Sequence, residues 1–271
     1  MLRPFDMFKD KNRNTRVISI ANQKGGVGKT TSTINLGVAL AERGKDVLLV
    51  DFDPQSNMSI GLGVDVDNIG NRSIYHALFD DKLTLPKVSH KTKIPGLKVA
   101  PATLDLTAAE IQLFARENRE KTLHDLLKPH KNAYDYVLID CPPSLGLLTL
   151  NALVASDGVI VPLQCAYWAM RGMKQLMDTI DKIKESGMNP NLELIGILLT
   201  MYNSRTHHSR QVTERAREAF GDKVFQTVIK ETVRFDYATV ACESVLTHAK
   251  TSEAADAYRA VAKEVENVKN R

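Results

Sequence analysis

Residues 17–31 read Val-Ile-Ser-Ile-Ala-Asn-Gln-Lys-Gly-Gly-Val-Gly-Lys-Thr-Thr and hold the strongest local signal in the chain. An apolar run of the kind found in buried strands leads into a glycine-rich turn, and a helix-period stretch follows. Glycine backbones let N–H groups approach phosphate oxygens, and the positive end of a following helix favours the same anion. In such a loop Lys29 reaches the β- and γ-phosphates, Thr30 ligates Mg²⁺ and Thr31 contacts the α-phosphate. The stretch therefore predicts a nucleotide-binding P-loop.

The alternation of an apolar run with a helix-period stretch recurs along the chain. The strand-like runs are Val17–Ala21, Val47–Asp51, Leu97–Ala100, Tyr136–Asp140, Gly158–Pro162, Leu194–Thr200 and Val224–Ile229. Helices are predicted at 29–43, 107–128, 146–155, 168–186, 209–220 and 252–268, the last capped by Thr251 or Ser252. Residues 61–96 interrupt this rhythm and predict a loop-rich insertion with one short helix near 73–79.

This order of elements predicts the fold class and the place of the ligand. Strands that alternate with helices form right-handed βαβ units, and the ligands of such sheets lie at the carboxyl ends of the strands. We therefore expect an α/β chain with a single-domain P-loop NTPase fold, in which helices cover both faces of a mainly parallel, twisted sheet. The predicted organisation is a basic N-terminal tail at 1–15 and an ATPase domain at 16–271.

Composition narrows the class of protein further. The chain has 271 residues, of which 43% are hydrophobic and 25% charged, which excludes a wholly disordered or fibrous protein. Its three cysteines are far apart and lack a CxxC spacing, which suits a cytoplasmic location and argues against zinc or an iron–sulfur cluster within one chain. No apolar run approaches the ~18 residues of a membrane span. Residues 1–16 carry five basic and two acidic side chains, which suits either solubility or contact with a polyanion.

A second lysine lies inside the loop. The ordinary P-loop pattern has glycine five residues before Gly28, where this chain has Gln23, and Lys24 follows it. Because Lys29 already serves the phosphates, Lys24 needs another role. A long cationic side chain here can reach phosphates bound by a neighbouring subunit and stabilise the transition state as an arginine finger does. The alternative is a solvated surface lysine.

Carboxylates end two of the predicted strands. Asp51 and Asp53 close the second strand, and Asp140 closes the strand at 136–140. A carboxylate at a buried strand end is costly unless a cation or hydrogen-bond donors compensate it. We interpret Asp140 as a Mg²⁺ ligand through water and Asp51 as support for that shell. For any one of them, a capping or ion-pair role is the alternative.

Several motifs resemble one family. Lys24–Thr31 is similar to the deviant Walker A motif of the ParA/MinD class of ATPases. Val47–Asn57, Val-Leu-Leu-Val-Asp-Phe-Asp-Pro-Gln-Ser-Asn, resembles the second motif of the ParA/Soj partition ATPases. Val137–Gly146, Val-Leu-Ile-Asp-Cys-Pro-Pro-Ser-Leu-Gly, resembles their Walker B region, and Leu198–Thr206 and Lys223–Ile229 resemble later blocks. The resemblance covers about residues 16–268.

The resemblance implies an ATPase that uses ATP and Mg²⁺. It implies that Asp53 orients the attacking water, so the catalytic candidates are Lys24, Lys29 and Asp53. Relatives usually have Pro-Arg-Asn where this chain has Lys230-Glu231-Thr232, so Lys230 and Thr232 align with the adenine contacts. The full set of nucleotide-binding candidates is Lys24, Gly25, Gly26, Val27, Gly28, Lys29, Thr30, Thr31, Lys230 and Thr232, and that of metal ligands is Thr30, Asp51 and Asp140.

The resemblance also implies partners. In the Soj group, arginines at the places of Arg205 and Arg234 contribute to non-specific binding of double-stranded DNA by an ATP-dependent homodimer. A ParB/Spo0J-like centromere-binding protein would stimulate hydrolysis on the nucleoid. Arg210, Arg215 and Arg217 either extend the DNA surface or form a solvated helix face.

Three other functions remain as alternatives to partition. They are a positioner of another cargo on the nucleoid, a MinD-like ATPase that acts at the membrane, and an iron–sulfur reductase ATPase. The last helix has a small-residue stripe, which favours packing on the body over membrane binding. These residues are Ala254, Ala255, Tyr258, Val261, Ala262 and Val265.

Overall fold

A seven-stranded sheet forms the centre of the computed structural model, which describes residues 14–130, 132–165 and 169–268. The strands are β1 Arg16–Ile20, β2 Val47–Asp51, β3 His90–Lys91, β4 Leu97–Ala100, β5 Tyr136–Asp140, β6 Gly158–Gln164 and β7 Glu193–Thr200. Their order is β3-β4-β2-β5-β1-β6-β7, and all neighbours are parallel except the β3–β4 pair. The predicted fold class, a mainly parallel sheet of a P-loop NTPase, is confirmed.

Helices cover both faces of this sheet. They are α1 Lys29–Glu42, α2 Asn57–Gly61, α3 Ile74–Phe79, α4 Leu85–Val88, α5 Leu106–Phe114, α6 Thr122–Leu127, α7 Leu147–Ala155, α8 Ala169–Glu185, α9 His207–Phe220, α10 Arg234–Val240, α11 Val245–His248 and α12 Glu253–Asn267. Alternate residues of the strands enter two separate cores, one shared with α3–α9 and the other with α1, α2 and α10–α12. A strand that is apolar on successive residues serves both cores, as expected of a sheet covered on two sides.

The C-terminal helix packs on the body of the protein, as its small-residue stripe predicts. Tyr258 and Val261 on α12 are fully buried, and the Tyr258 hydroxyl lies 3.1 Å from the Ser32 hydroxyl on α1. The predicted N-cap is also present, because the Ser252 hydroxyl accepts a hydrogen bond of 3.2 Å from the Ala255 N–H.

The prediction of a strand at Val224–Ile229 is wrong. Phe225 and Ile229 donate their N–H groups to the Ile197 and Leu199 carbonyls of β7, so both ends of the segment touch the sheet. Between these ends, the N–H groups of residues 226 and 227 donate to the Glu264 carboxylate on α12, at 2.7 and 2.9 Å. A side chain from the helix layer thus takes the donors that a continuous strand would give to its neighbour.

The single helix predicted at 107–128 is two helices, α5 and α6. Asn118 lies in the left-handed region at φ 52°, and the Arg119 guanidinium donates to the Phe114 carbonyl at the end of α5. The start of α6 is tied to α7, because the Asn151 side chain accepts from the Leu123 N–H at 3.2 Å. Contacts from outside the segment therefore end one helix and start the next.

Most of the predicted basic tail lies outside the described residues, because the description begins at residue 14. The predicted insertion at 61–96 contains α3 at the expected place, together with α4 and the short strand β3.

The packing of Phe225 on β7 gives a stability prediction. A Cβ added at Gly196 would lie 2.5 Å from two ring carbons of Phe225, so Gly196→Ala should lower the free energy of unfolding by about 1–3 kcal/mol through overpacking. Urea unfolding measures this loss. Phe225→Leu should relieve the clash, so the double variant should lose at least ~0.5 kcal/mol less than the sum of the single losses. Additive losses would show that the ring does not create the strain.

Candidate nucleotide site

The loop between β1 and α1 needs glycine at two positions. Gly26 and Gly28 have φ values of 69° and 85°, in the left-handed region that L side chains rarely adopt. Thr200, the last residue of β7, holds the loop in place, because its hydroxyl donates to the Val27 carbonyl at 2.9 Å. At the start of the loop the buried Asn22 side chain donates to the Pro162 carbonyl of β6 at 2.7 Å. The ends of β6 and β7 therefore fix the loop that precedes α1.

The two lysines of the loop have different surroundings. Lys29 is buried, and its Nζ donates to the Lys24 carbonyl at 3.2 Å. Burial lowers the pKa of Lys29, and the nearby Asp140 carboxylate opposes that shift. Lys24 is exposed, and its Nζ donates to the Gln164 side-chain oxygen at 2.8 Å. One cation is thus held inside the loop and the other lies on the surface beside it.

Asp140 joins the end of β5 to the first turn of α1. Its carboxyl is fully buried and accepts from the Thr30 hydroxyl at 2.7 Å and from the Thr33 hydroxyl at 3.2 Å. Burial raises the pKa of Asp140 to about 8, and the neighbouring Asp51 carboxylate contributes to the rise. The hydroxyl expected at Mg²⁺ and a carboxyl expected near it therefore lie in direct contact.

Asp51 lies opposite Asp140 in the register of β2 and β5. It is fully buried and accepts from both the N–H and the hydroxyl of Ser59 on α2, at 2.8 and 2.6 Å. Burial raises its pKa to about 6, although the bonds from Ser59 oppose the shift. Asp53, two residues on, is almost fully buried and accepts from the Gln55 N–H at 3.0 Å. Three carboxyls thus lie at or just after the carboxyl ends of β2 and β5, beside the loop.

Some of these groups line a cleft of about 460 Å³, namely the loop glycines, Lys29, Thr30 and Asp53. Lys24, Asp51 and Asp140 are not among its lining residues. The loop, α1 and Asp53 form one part of its lining, and α2, α10 and single residues of other connections form the rest. The lining residues that the sequence argument missed are Ile34, Asn35, Gln55, Asn57, Ile60, Gly61, Pro143, Met201, Phe235, Ala238, Thr239 and Glu243. Phe235 and Ala238 come from a seven-residue helix some 200 positions after the loop, and no local pattern marks them as neighbours of a phosphate.

The structure does not bring the two aligned adenine residues to this cleft. Neither Lys230 nor Thr232 is among its lining residues. The Lys230 ammonium pairs with the Glu253 carboxylate at the start of α12, and the Thr232 hydroxyl accepts from the Arg234 N–H at 3.4 Å. Their role with adenine stays a prediction that these contacts do not support.

Arg205 and Arg234 are exposed and follow two segments that run side by side. The Tyr202 N–H donates to the Ile229 carbonyl, and the Glu231 N–H donates to the Tyr202 carbonyl. Each arginine therefore lies three residues beyond one of the two residues, 202 and 231, that this bond joins. Their DNA contacts remain a prediction.

Of the helix arginines, Arg210 and Arg215 are exposed. Arg217 instead donates to the Phe225 and Gln226 carbonyls, both at 3.2 Å, which gives it a structural contact.

Two further properties concern the iron–sulfur and membrane alternatives. In the described part of the chain, no group of three or more His, Cys, Asp or Glu side chains has an arrangement that could hold a metal ion without other ligands. None of the described helices combines the length and the apolar character that crossing a bilayer requires.

Comparison with known proteins agrees with this geometry. Residues 15–194 match a family model described as "AAA domain". The chain is 46% identical over 250 residues to the chromosome partitioning protein ParA of Myxococcus xanthus. This match covers 92% of the chain and 87% of the relative. It is 44% identical over 250 residues to the sporulation initiation inhibitor protein Soj of Bacillus subtilis, with 92% and 98% covered.

A solved structure shares the fold. It is described as cobyrinic acid a,c-diamide synthase from Mycobacterium smegmatis with bound ADP and magnesium. The TM-score is 0.82 at 39% identity, and the match covers 94% of this chain and 96% of that one.

A glycine-rich loop with a buried lysine, set beside strand-end carboxyls on a mainly parallel sheet, defines a P-loop ATPase. The identity of the full-length relatives then specifies the group within that class. The chain belongs to the ParA/Soj family of partitioning ATPases.

The raised pKa of Asp140 predicts a pH-dependent stability when no nucleotide or metal is added. The pKa of Asp140 is about 8 in the folded chain, whereas its ordinary value is 3.8. At pH values between these two, Asp140 therefore holds a proton in the folded chain but not in the unfolded chain. The contribution of Asp140 to the free energy of unfolding should therefore fall as pH rises through that window. Asp140→Asn should remove at least ~1 kcal/mol of the fall between about pH 5 and 8. Denaturant unfolding across the pH range measures it, with the exposed Asp81→Asn as control. An unchanged pH dependence would contradict the assignment.

Proposed function

We propose that the chain is an ATP-driven switch that dimerises on MgATP, binds DNA in that state and is reset by hydrolysis. The observation that carries the proposal is the different exposure of the two loop lysines. Lys29 is buried where a phosphate would bind, whereas Lys24 is exposed on the outer side of the same loop. A surface cation beside a nucleotide cleft can act on the phosphates of a second subunit.

The nucleotide would bind through groups that already point to one cleft. The N–H groups of Gly25–Thr31 and the start of α1 would hold the phosphates, and the Lys29 ammonium would move from the Lys24 carbonyl to a phosphate oxygen. The relatives' names and the ADP and magnesium bound to the M. smegmatis protein support ATP and Mg²⁺ as the ligands.

The residues present fit a magnesium ion. Hard oxygen donors are the ligands it prefers, and a hydroxyl and a carboxyl that lie 2.7 Å apart supply them at Thr30 and Asp140. Asp51 would support that shell from the neighbouring strand. A bound Mg²⁺ would neutralise negative charge on the phosphates.

Asp53 would accept the hydrogen bond that orients the attacking water. It is the least buried of the three carboxyls and lines the cleft, unlike Asp51. Lys24 from the second subunit would stabilise the charge that develops on the transferred phosphoryl group.

The two catalytic roles predict opposite effects on assembly. Asp53→Ala should keep phosphate binding and lose at least ~10²-fold in turnover, so ATP should trap the dimer. Lys24→Ala should keep much of its ATP affinity, because Lys29 remains, but should lose both dimerisation and hydrolysis. Nucleotide binding, light scattering and phosphate release, measured on the same samples, separate the roles. A Lys24→Ala chain that dimerises with ATP like the parent would refute the in-trans assignment.

The dimer would act on DNA in the cytoplasm, on the nucleoid. Arg205 and Arg234 would place four cations per dimer along a duplex, and a ParB/Spo0J-like partner would stimulate hydrolysis. The basic residues of the predicted tail at 1–15 would add to this attraction, and residues 16–271 would form the ATPase domain. The partition names of the relatives at 44% and 46% identity support this cycle over the synthase described for the M. smegmatis structure.

DNA binding should depend on ATP and on salt in a defined way. Four phosphate contacts predict a slope of log K against log salt of roughly −4, at about −0.9 per contact. Arg234→Ala should weaken binding on every sequence alike and make the slope shallower by about two per dimer, with dimerisation intact. Mobility shifts over a salt series, in ATP and in ADP, measure both quantities, and Arg72→Ala in the 61–96 insertion is the matched control.

Equal affinity in ADP, or an unchanged slope in the Arg234 variant, would place the DNA surface elsewhere. ATP-dependent attachment to liposomes in place of DNA would favour the MinD-like alternative. Normal DNA binding by a protein that localises with another cargo in cells would favour the other nucleoid positioner.

A further inference from the structure

The exposed Lys24 is held at three points by its own subunit. Its N–H donates to the Asn22 side chain at 2.9 Å, and its carbonyl accepts from the Lys29 ammonium at 3.2 Å. Its own ammonium donates to the Gln164 side-chain oxygen at 2.8 Å. The residue that would act on another subunit is therefore attached at both ends to the subunit that carries it.

The partner of this ammonium is itself firmly placed. Gln164 is the last residue of β6 and pairs in register with Thr200 of β7. Thr200 holds the loop through the Val27 carbonyl, and Pro162, two residues before Gln164, holds it through Asn22. The same two strand ends thus fix the backbone on both sides of the Lys24–Gln164 bond, so the donor and the acceptor start close together in the folded chain.

We propose that Gln164 is a positioning residue that holds the Lys24 ammonium on its own subunit, and that this bond breaks when the ATP dimer forms. The inference rests on the proposed role of Lys24 in trans. For the ammonium to reach a phosphate on a second subunit, the side chain must leave the sheet edge that bears Gln164. The amide oxygen and the partner's phosphate therefore compete for one cation.

This competition sets a threshold for assembly. A charge-assisted hydrogen bond at a partly exposed site contributes about a fivefold factor to an equilibrium, so two such bonds weaken the dimer by about 25-fold. Phosphate, which carries more charge than an amide oxygen, wins the cation when the cleft of the second subunit is filled. The bond thereby makes dimerisation more dependent on nucleotide.

Two variants of the same shape should shift the equilibrium in opposite directions. Gln164→Met keeps the length of the side chain and removes the acceptor, so the ATP dimer should form at about 10- to 25-fold lower protein concentration. Gln164→Glu replaces the amide with a carboxylate, which holds the ammonium more strongly, so the dimer should need at least about fivefold more protein. Loss of packing alone would move both variants the same way.

Sedimentation velocity over a protein concentration series, with saturating ATP and Mg²⁺, measures the dimer constants. ATP affinity is measured separately at concentrations where the protein is monomeric, which isolates any direct effect of the added carboxylate on nucleotide. Gln175→Met, at an exposed glutamine on α8, is the matched control and should behave as the parent does.

The parent chain and the Gln164 variants distinguish failure of the proposed dimer from failure of this inference alone. A parent chain that stays monomeric in ATP would refute the proposed dimer and, with it, this inference. A parent that dimerises while Gln164→Met stays within twofold of it, or while Gln164→Glu dimerises more tightly, would overturn the inference alone.

A measurement on the monomer tests the bond itself. The ¹⁵N side-chain resonance of Lys24, assigned by its loss in Lys24→Arg, should shift in Gln164→Met and stay in place in Gln175→Met. An unchanged resonance in Gln164→Met would show that the ammonium is not held there.

Discussion

The hydrogen bonds that Thr30 and Thr33 donate to the Asp140 carboxyl join the first helix to the centre of the sheet. Asp140 ends β5, which lies between β1 and β2, so the bonds fix α1 over the strands that carry the loop and the other carboxyls. A buried carboxyl is tolerated only where donors surround it, and here the donors are hydroxyls from the helix that receives the phosphates. The geometry of the whole site depends on this contact.

The raised pKa values of Asp51 and Asp140 describe a site built for a cation. Both carboxyls are fully buried on adjacent strands, and burial raises the pKa of each. The charge of Asp51 further raises the pKa of Asp140. A divalent ion reverses this balance, because it stabilises the charged forms that burial disfavours. Binding of the metal with the nucleotide should therefore lower the pKa of both carboxyls.

The sequence predicted those parts of the site that are local along the chain. The loop, the carboxyls at strand ends and the stripe on α12 all follow from spacing within one or two elements, and the structure places them as expected. Contacts between distant segments had no such signal. Glu264 interrupts the strand predicted at 224–229, Phe235 lines the cleft from a short helix, and Gln164 meets Lys24 across 140 positions. Each depends on tertiary packing, which overrides the local preference of the segment concerned.

Glu264 has a second consequence, for the edges of the sheet. An unpaired edge invites strands from other molecules. At one side the 224–229 segment covers part of β7, and its spare N–H groups are taken by the α12 carboxylate. At the other side the edge strand β3 has only two residues, one of them the exposed Lys91. Both borders thus offer little unpaired backbone to a strand from another copy of the chain. The dimer cycle proposed above would benefit from borders that offer no second route to association.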